Sequence, residues 1–430
     1  MSALTDRIAE DFESAARTLP GSAAAAARRR GAISALAARG LPSSRDENWK
    51  YANLRSLERV RFLPAPPAQS LPSSGELPQP LPGIARYLFI DGRFAPAASA
   101  TPFAGAAVRL LAPRGEDAMA GAEAAATEER FALLNEAFAS DGLTVDVPAS
   151  STTALQLEVL FLASAAAQVG ASYPRLEVRL APGTQLTLIE RHLSAAAEAS
   201  FVASAVQVEI GRGARLEHYR LQELNGRSIL FDTLSARLDE EGMYRLHAIN
   251  TGAQSARSTL SLALTGERAE LALAVVSLGD AHQAQDGYAV VEHAAPAART
   301  VQTFRGIAAG RARVAFNGKI IVAPGAHGTD SRQSLRGLLA GPEAEIDVRP
   351  QLEIYNDDVR CSHGATAGKL DDAMLFYLLS RGLDRDAAQR LLKWAFLEDV
   401  IAKIELPPLR RQVEERLAGQ LRDEALRELL

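Results

Sequence analysis

Two hexapeptides decide how this 430-residue chain is read: Ala181-Pro-Gly-Thr-Gln-Leu186 and Gly211-Arg-Gly-Ala-Arg-Leu216. Each is a turn of small residues leading to an apolar sixth position. The pattern returns as Glu241-Gly-Met-Tyr-Arg-Leu246, Gly266-Glu-Arg-Ala-Glu-Leu271, Ala309-Gly-Arg-Ala-Arg-Val314 and Gly341-Pro-Glu-Ala-Glu-Ile346. Successive starts lie 30, 30, 25, 43 and 32 residues apart. Repeats of this length suggest a solenoid, each turn covering the apolar edge of the one before. Period-two alternation surrounds them, as in Leu176, Val178 and Leu180, or Val206, Val208 and Ile210. That spacing makes strands with one buried face. A β-sandwich is the structural alternative, because regularly spaced short strands suit it too. The repeat favours a β-helix over 143–370.

Outside that core the pattern is helical. Residues 1–63 read as a helical region: Leu4, Ile8 and Phe12 fall at helical spacing, Pro20-Gly21 interrupts, and Ile33, Leu36 and Ala37 resume. Trp49 and Tyr51 are read as aromatic packing under a helical cap. Seven prolines between 64 and 82 forbid a helix interior or central strand there, so the stretch is a linker or surface crossing. Residues 83–142 form a mixed lead-in. It has a hairpin in which Tyr87, Phe89 and Phe94 surround Asp91-Gly92, and a helix over roughly 128–139. The C-terminal region, 371–430, is helical again. A short helix spans Ala373–Arg381, Gly382 stops it, Asp384 caps the next, and Pro407-Pro408 ends that one.

The net charge of −5 argues against a binder of duplex DNA. A single cysteine, Cys361, cannot form an intrachain disulfide or complete a thiolate metal site alone. The N-terminus lacks the apolar core of a signal peptide, and no run is long enough to span a bilayer, so a cytoplasmic protein with no membrane partner is expected. Asn317-Gly318-Lys319 is followed by apolar residues rather than a Ser or Thr opening a helix, so no phosphate loop forms and no nucleotide is expected in this chain.

Two groupings could carry chemistry. Glu353, Asp357 and Asp358 could serve as the acid pair of a β-helix carbohydrate enzyme. Against this, adjacent aspartates point to opposite faces, and Asn356-Asp357-Asp358 reads as turn chemistry. Cys361-Ser362-His363-Gly364 is the stronger grouping. Positions i and i+2 of extended chain share a face, which sets thiol and imidazole side by side as a soft ligand pair. A neighbouring imidazolium would also favour the thiolate. The alternative is inert packing of both. The histidines at 192, 218, 247, 282, 293 and 327 are scattered, and none forms a spaced pair with another His or Cys.

Three stretches carry a resemblance: Phe316–Val322, Gln351–Thr366 and Leu375–Gly382, with weaker echoes at Asn48-Trp-Lys-Tyr51 and Leu134-Asn-Glu-Ala-Phe138. The chain resembles the SufB/SufD family, scaffold subunits of the Suf iron–sulfur cluster assembly system. Gly364 after the histidine, and the lack of further cysteines, match the SufD form rather than SufB. Ala367 and His327-Gly328 depart from the usual pattern. The resemblance implies a mainly β fold with flanking α: a right-handed parallel β-helix core between N- and C-terminal helical domains. It implies a non-enzymatic scaffold in a complex with SufB and the ABC-type ATPase SufC, and allows a homodimer of the isolated chain. A transient iron–sulfur cluster or iron would sit at the SufB interface, with Cys361 and His363 as this chain's half of the site. SufC would dock on the C-terminal helices, through Leu375, Phe376, Leu379, Leu391 and Trp394.

Overall fold

A computed structural model describes residues 3–421, apart from 44, 69, 73–76, 101–106, 111–129, 152, 165–169 and 196. The lead-in stretch 111–129 and the tail beyond 421 thus lie outside the described residues. The first strands are β1 (Ala85–Ile90), β2 (Arg93–Phe94), β3 (Ala107–Leu110), β4 (Leu143–Val147), β5 (Leu155–Ala163), β6 (Ala171–Ser172) and β7 (Arg175–Leu180). Longer strands follow: β8 (Gln185–Ser194), β9 (Phe201–Ile210), β10 (Arg215–Glu223), β11 (Ile229–Leu238), β12 (Met243–Asn250), β13 (Ser255–Leu264) and β14 (Glu270–Gly279). The last are β15 (Ala284–His293), β16 (Arg299–Ala308), β17 (Arg313–Val322), β18 (Thr329–Leu339), β19 (Glu345–Ile354) and β20 (Val359–Gly368).

From β7 onward the long strands alternate between two facing sheets, each pairing with the strand two places on. One sheet runs β2-β1-β5-β8-β10-β12-β14-β16-β18-β20; the other runs β19-β17-β15-β13-β11-β9-β7-β4-β3. Every pairing from β8 to β20 is parallel, so the core is a β-solenoid and not a sandwich of hairpins. Aliphatic side chains from both inner faces fill one continuous core, including Leu176, Val178 and Leu180 opposite Leu186 and Leu188.

The repeat of the sequence proves to be a mixture. The register stacks Leu186 on Leu216, Tyr244, Leu271, Thr300, Ser331 and Cys361. The third rung of this stack therefore presents Tyr244, two residues before the expected Leu246. Val314 and Ile346 belong to the other sheet, where Gln285, Val314 and Ile346 stack. The physical reason is that each coil has two corners built with the same turn chemistry. Corner residues take positive φ at Gly183 (73°) and Gly213 (61°), and also at Glu241 (54°) and Arg268 (58°). The 43-residue interval is the step from one corner type to the other.

The two ends of the solenoid differ. At the start, β2 and β3 pair antiparallel with β1 and β4 and close the sheets. The expected hairpin is there: Phe89 pairs with Phe94 across Asp91 (φ 51°) and Gly92 (φ 77°), the left-handed pair that a tight two-residue turn requires. At the far end β19 and β20 are edge strands.

Helices cover both outer faces. The helices α1 (Ala3–Ala15), α2 (Ala23–Arg39) and α3 (Arg130–Phe138) pack with the 3₁₀ turn Glu47–Trp49 against Phe201, Ala203 and Phe231. Trp49 is buried, lying against Phe131 and Phe231, with the Arg257 guanidinium 4.4 Å from the ring centroid. It thus pins the N-terminal layer to the solenoid. Asn135 does the same with hydrogen bonds donated to the carbonyls of Pro174 (2.7 Å) and Ala203 (2.8 Å).

On the opposite face lie α4 (Asp372–Ser380), α5 (Arg385–Ile401) and α6 (Pro407–Gln420). Leu397, Val400, Ile401, Leu409, Val413 and Leu417 pack on Tyr219, Ile249, Val276 and Ile307. Asp384 caps α5 as expected, and Gly382 follows α4 at φ 93°. Pro407-Pro408 opens α6 instead of ending α5, which stops at Ile401. Proline suits a helix's first turn, where its missing N–H has no partner to lose. Among the described residues of 64–82 no helix or strand forms beyond an isolated bridge from Pro64 to Ala171.

Candidate functional site

The terminal rung of the solenoid is uncovered. Every inner-face residue of β20 is at least partly exposed, whereas Leu271, Leu273 and Val275 on β14 are almost fully buried. Cys361 and His363 stand on that inner face, stacked above Ser331 and Gln333 of β18. The expectation from their spacing is met: they share a face. Cys361 is half-buried against the end of the apolar core, and His363 is exposed. The expectation of a favoured thiolate is not met. Burial pushes the Cys361 thiol up, Asp330 adds to this, and the hydrogen bond from the Ser331 backbone only partly opposes it. In this chain alone the sulfur is a protonated thiol at neutral pH, and a bound cation would be needed to draw off its proton.

The acidic grouping does not assemble a carbohydrate site. Glu353 pairs with Lys319 at 2.8 Å. Asp357 and Asp358 lie at a corner where Asn356 accepts a hydrogen bond from the Asp358 N–H (2.9 Å) and donates to the Pro324 carbonyl (2.5 Å). The turn chemistry of Asn356 wins.

A second polar cluster lies inside the solenoid, and the sequence reading missed it. His192 and His218, far apart in sequence and expected to be unrelated, meet at Glu190. The Glu190 carboxylate lies 2.7 Å from His192 Nε2 and 3.2 Å from His218 Nε2. Arg220 donates to Glu190 through Nε (2.9 Å) and Nη2 (2.7 Å), and to Asp232 through Nη1 and Nη2 (both 2.9 Å). Tyr244 holds His218 from the other side at 3.0 Å. All these groups are buried. Burial alone would raise Glu190, but Arg220 and the hydrogen bonds outweigh it and hold the carboxyl well below its usual range. Burial keeps His218 neutral by lowering its pKa.

Glu190, His192 and Asp232 present ligand atoms within 4.8 Å of one another. The Arg220 guanidinium already occupies the cationic position between the two carboxylates, so the cluster is closed by its own charge. The signal available in sequence was weak: Glu190-x-His192 and His218-x-Arg220 are polar inner-face positions in strands that begin with apolar ones.

The residues expected to meet an ATPase divide into two sets. Phe376 (71% exposed) and Leu391 (43%) are on the surface, and Leu379 is half-buried. Leu375 and Trp394 are buried, Trp394 in the contact between α5 and the solenoid, so neither offers its side chain outward. Met374 (58%) and Tyr377 (56%) extend the exposed apolar surface of α4. Among the described residues no helix is long and apolar enough to cross a membrane.

Comparison with known proteins agrees with this geometry. Residues 161–396 match the family model described as SUF system FeS cluster assembly, SufBD core domain. The chain is 31% identical over 385 residues to the iron–sulfur cluster assembly protein SufD of Escherichia coli, covering 89% of this chain and 90% of that protein. It is 27% identical over 404 residues to an iron–sulfur cluster assembly SufBD family protein of Synechocystis, covering 90% of this chain and 89% of the relative. The matched core contains the solenoid from the end of β5 onward, its uncovered terminal rung, α4 and most of α5, and the chain belongs to the SufB/SufD family of iron–sulfur cluster assembly proteins, as a SufD-like member.

Proposed function

We propose that this chain is a non-ATPase scaffold subunit in iron–sulfur cluster assembly, working in the cytoplasm as one half of a SufB–SufD pair. The observation that carries the reading is the uncovered terminal rung. Its two parallel edge strands, β19 and β20, leave backbone donors and acceptors available to another chain. They surround an apolar floor of half-buried Ile346, Val348 and Leu352. A second solenoid of the same type would extend both sheets and cover that floor. Cys361 and His363 then lie at the seam. One thiol and one imidazole cannot hold a cluster, so the remaining ligands come from the partner. The cluster is cargo, and a seam between two chains can open to release it.

The exposed apolar side chains of α4 and α5 support docking of an ATPase such as SufC on the C-terminal helices. Phe376, Leu391, Met374 and Tyr377 make this contact, while Leu375, Leu379 and Trp394 hold the helices in place behind it. The test is reconstitution of iron and sulfide on the co-purified complex with His363→Ala. Loss of loading with an intact complex is expected; wild-type loading would remove His363 from the site. For docking, Phe376→Asp should abolish ATPase co-purification without unfolding the chain, since that side chain is exposed. Retention of the ATPase would move the contact elsewhere.

A further inference from the structure

A cleft of 530 Å³ opens between the N-terminal layer and the corners that begin β9 and β11. Its size is that of a small-molecule site. One wall is the 3₁₀ turn Leu54–Arg59 with Val60 and Arg61 after it; the other carries Arg227 and the first residues of the two strands. Four arginines line it, Arg55, Arg59 and Arg61 on the first wall and Arg227 on the second, and Glu58 is the one acidic residue of the lining. This excess of positive charge runs against the chain as a whole, which has 52 acidic side chains and 47 Lys and Arg. Exposed arginines at other corners are matched. Arg268 meets Glu240 and Glu241 (both 3.0 Å), and Arg311 meets Glu343 at 2.8 Å. All four cleft arginines are exposed, and among the described residues none of their guanidinium groups has an ion-pair or hydrogen-bond partner.

The walls are held by bonds that leave these side chains free. From α1, Arg7 donates to the carbonyls of Leu57 (2.8 Å), Glu58 (2.8 Å) and Val60 (3.0 Å). Unbonded, those oxygens would repel an anion. On the second wall Asn225 accepts from the Arg227 backbone N–H (2.9 Å), and Ser200 donates to Ser228 (2.8 Å). Buried Val60 and Phe201 supply apolar lining. Low-dielectric walls under charges of one sign concentrate their field in the cleft.

We propose that this cleft binds a compact small molecule carrying two or more oxyanion groups, a diphosphate or a polycarboxylate. The planar guanidinium fork pairs bidentately with either group. Arginines on two walls are engaged together only by an anion with more than one such group. The one aromatic residue of the lining, Phe201, is 4% exposed and offers no face to stack a ring, so recognition is through charge. The cleft stands four strands from the β19 edge, and its reading does not depend on the terminal rung.

Isothermal titration of the full chain at low salt, with inorganic pyrophosphate and with citrate, tests this. One saturating site is expected with at least one of them, weakening as salt rises because exposed charges are screened. Either preference supports the proposal and names the anion. Acetate should bind about tenfold or more weakly. Arg59→Gln and Arg227→Gln should each weaken the preferred anion about tenfold, the equivalent of one charged hydrogen bond. Glu58→Gln should tighten it. Arg299→Gln removes an exposed charge outside the cleft and should leave binding unchanged. The substituted side chains are exposed, so these variants should melt as the wild type does. Arg59 and Arg227 stand on opposite walls, so misfolding of one variant leaves the other to decide. No saturating site up to about 1 mM of either probe would overturn the proposal. Acetate binding as tightly as the multivalent anions would do the same. So would an equal loss in Arg299→Gln and Arg227→Gln, which would assign the attraction to overall charge and not to the cleft.

Discussion

Replacing Arg220 with methionine should convert the buried cluster from a stabilised one to a strained one, with an inverted response to pH. Arg220 makes four hydrogen bonds to two carboxylates, Glu190 and Asp232, with Glu190 fully enclosed. Removing one side of a buried ion pair costs about 3–5 kcal/mol, because the remaining charge has neither water nor partner. Against a total of about 5–15 kcal/mol for a typical domain, that is a large fraction.

The sign with pH follows from linkage. In the wild type Glu190 titrates below its unfolded value of 4.5. Its contribution is therefore present above that value and lost as pH falls through the folded pKa. In the variant, burial of Glu190 is no longer opposed by the arginine and raises its carboxyl. The deficit is then largest near pH 8 and shrinks toward pH 5.5, as Glu190 takes up a proton and His218, freed from Arg220, is protonated against it. Urea unfolding followed by far-ultraviolet circular dichroism at the two pH values measures both. Combining Arg220→Met with Glu190→Gln and Asp232→Asn should recover much of the loss, since no buried charge is left. A deficit under about 1 kcal/mol at pH 8, or one that is the same at both pH values, would refute the reasoning.

Two further outcomes follow from packing. Trp49→Ala removes the ring between Phe131, Phe231 and Arg257. It should cost about 3–5 kcal/mol and free the N-terminal layer to limited proteolysis before the solenoid unfolds; a coincident single transition at the wild-type midpoint would contradict this. Gly266→Ala sets a Cβ 1.8 Å from the Glu240 backbone nitrogen, with no flexible side chain to yield. It should lower the denaturation midpoint by more than a typical overpacking change of about 1–3 kcal/mol, and an unchanged midpoint would mean that the corner is not as tight as described.

The period-two alternation determined by itself that the middle of the chain is stranded, because pleating puts every second side chain on one face. The repeat determined that the strands recur as a solenoid. Capping chemistry determined the helix start at Asp384, where one side-chain oxygen satisfies an end N–H. The pairing of Cys361 with His363 was legible for the same local reason: two positions apart in extended chain means one face.

Sequence could not say which corner belongs to which sheet, because both corners use the same residues and only register separates them. It did not reveal the Glu190–His192–His218–Arg220–Asp232 cluster, whose members come from β8 and β10, stacked one coil of 30 residues apart, and from β11 of the facing sheet. Nor could it rank the apolar residues of α4 and α5. Helical spacing shows that Leu375, Phe376, Leu391 and Trp394 are apolar, but which of them face the solenoid depends on how the helices are set against it. That setting buries Trp394 and exposes Phe376, leaving an apolar surface on one flank and an uncapped rung at one end. Local chain chemistry fixes what a residue is and which face it shares. Only the stacking of distant segments fixes what lies beyond that face, and for the single thiol of this chain that is an open edge.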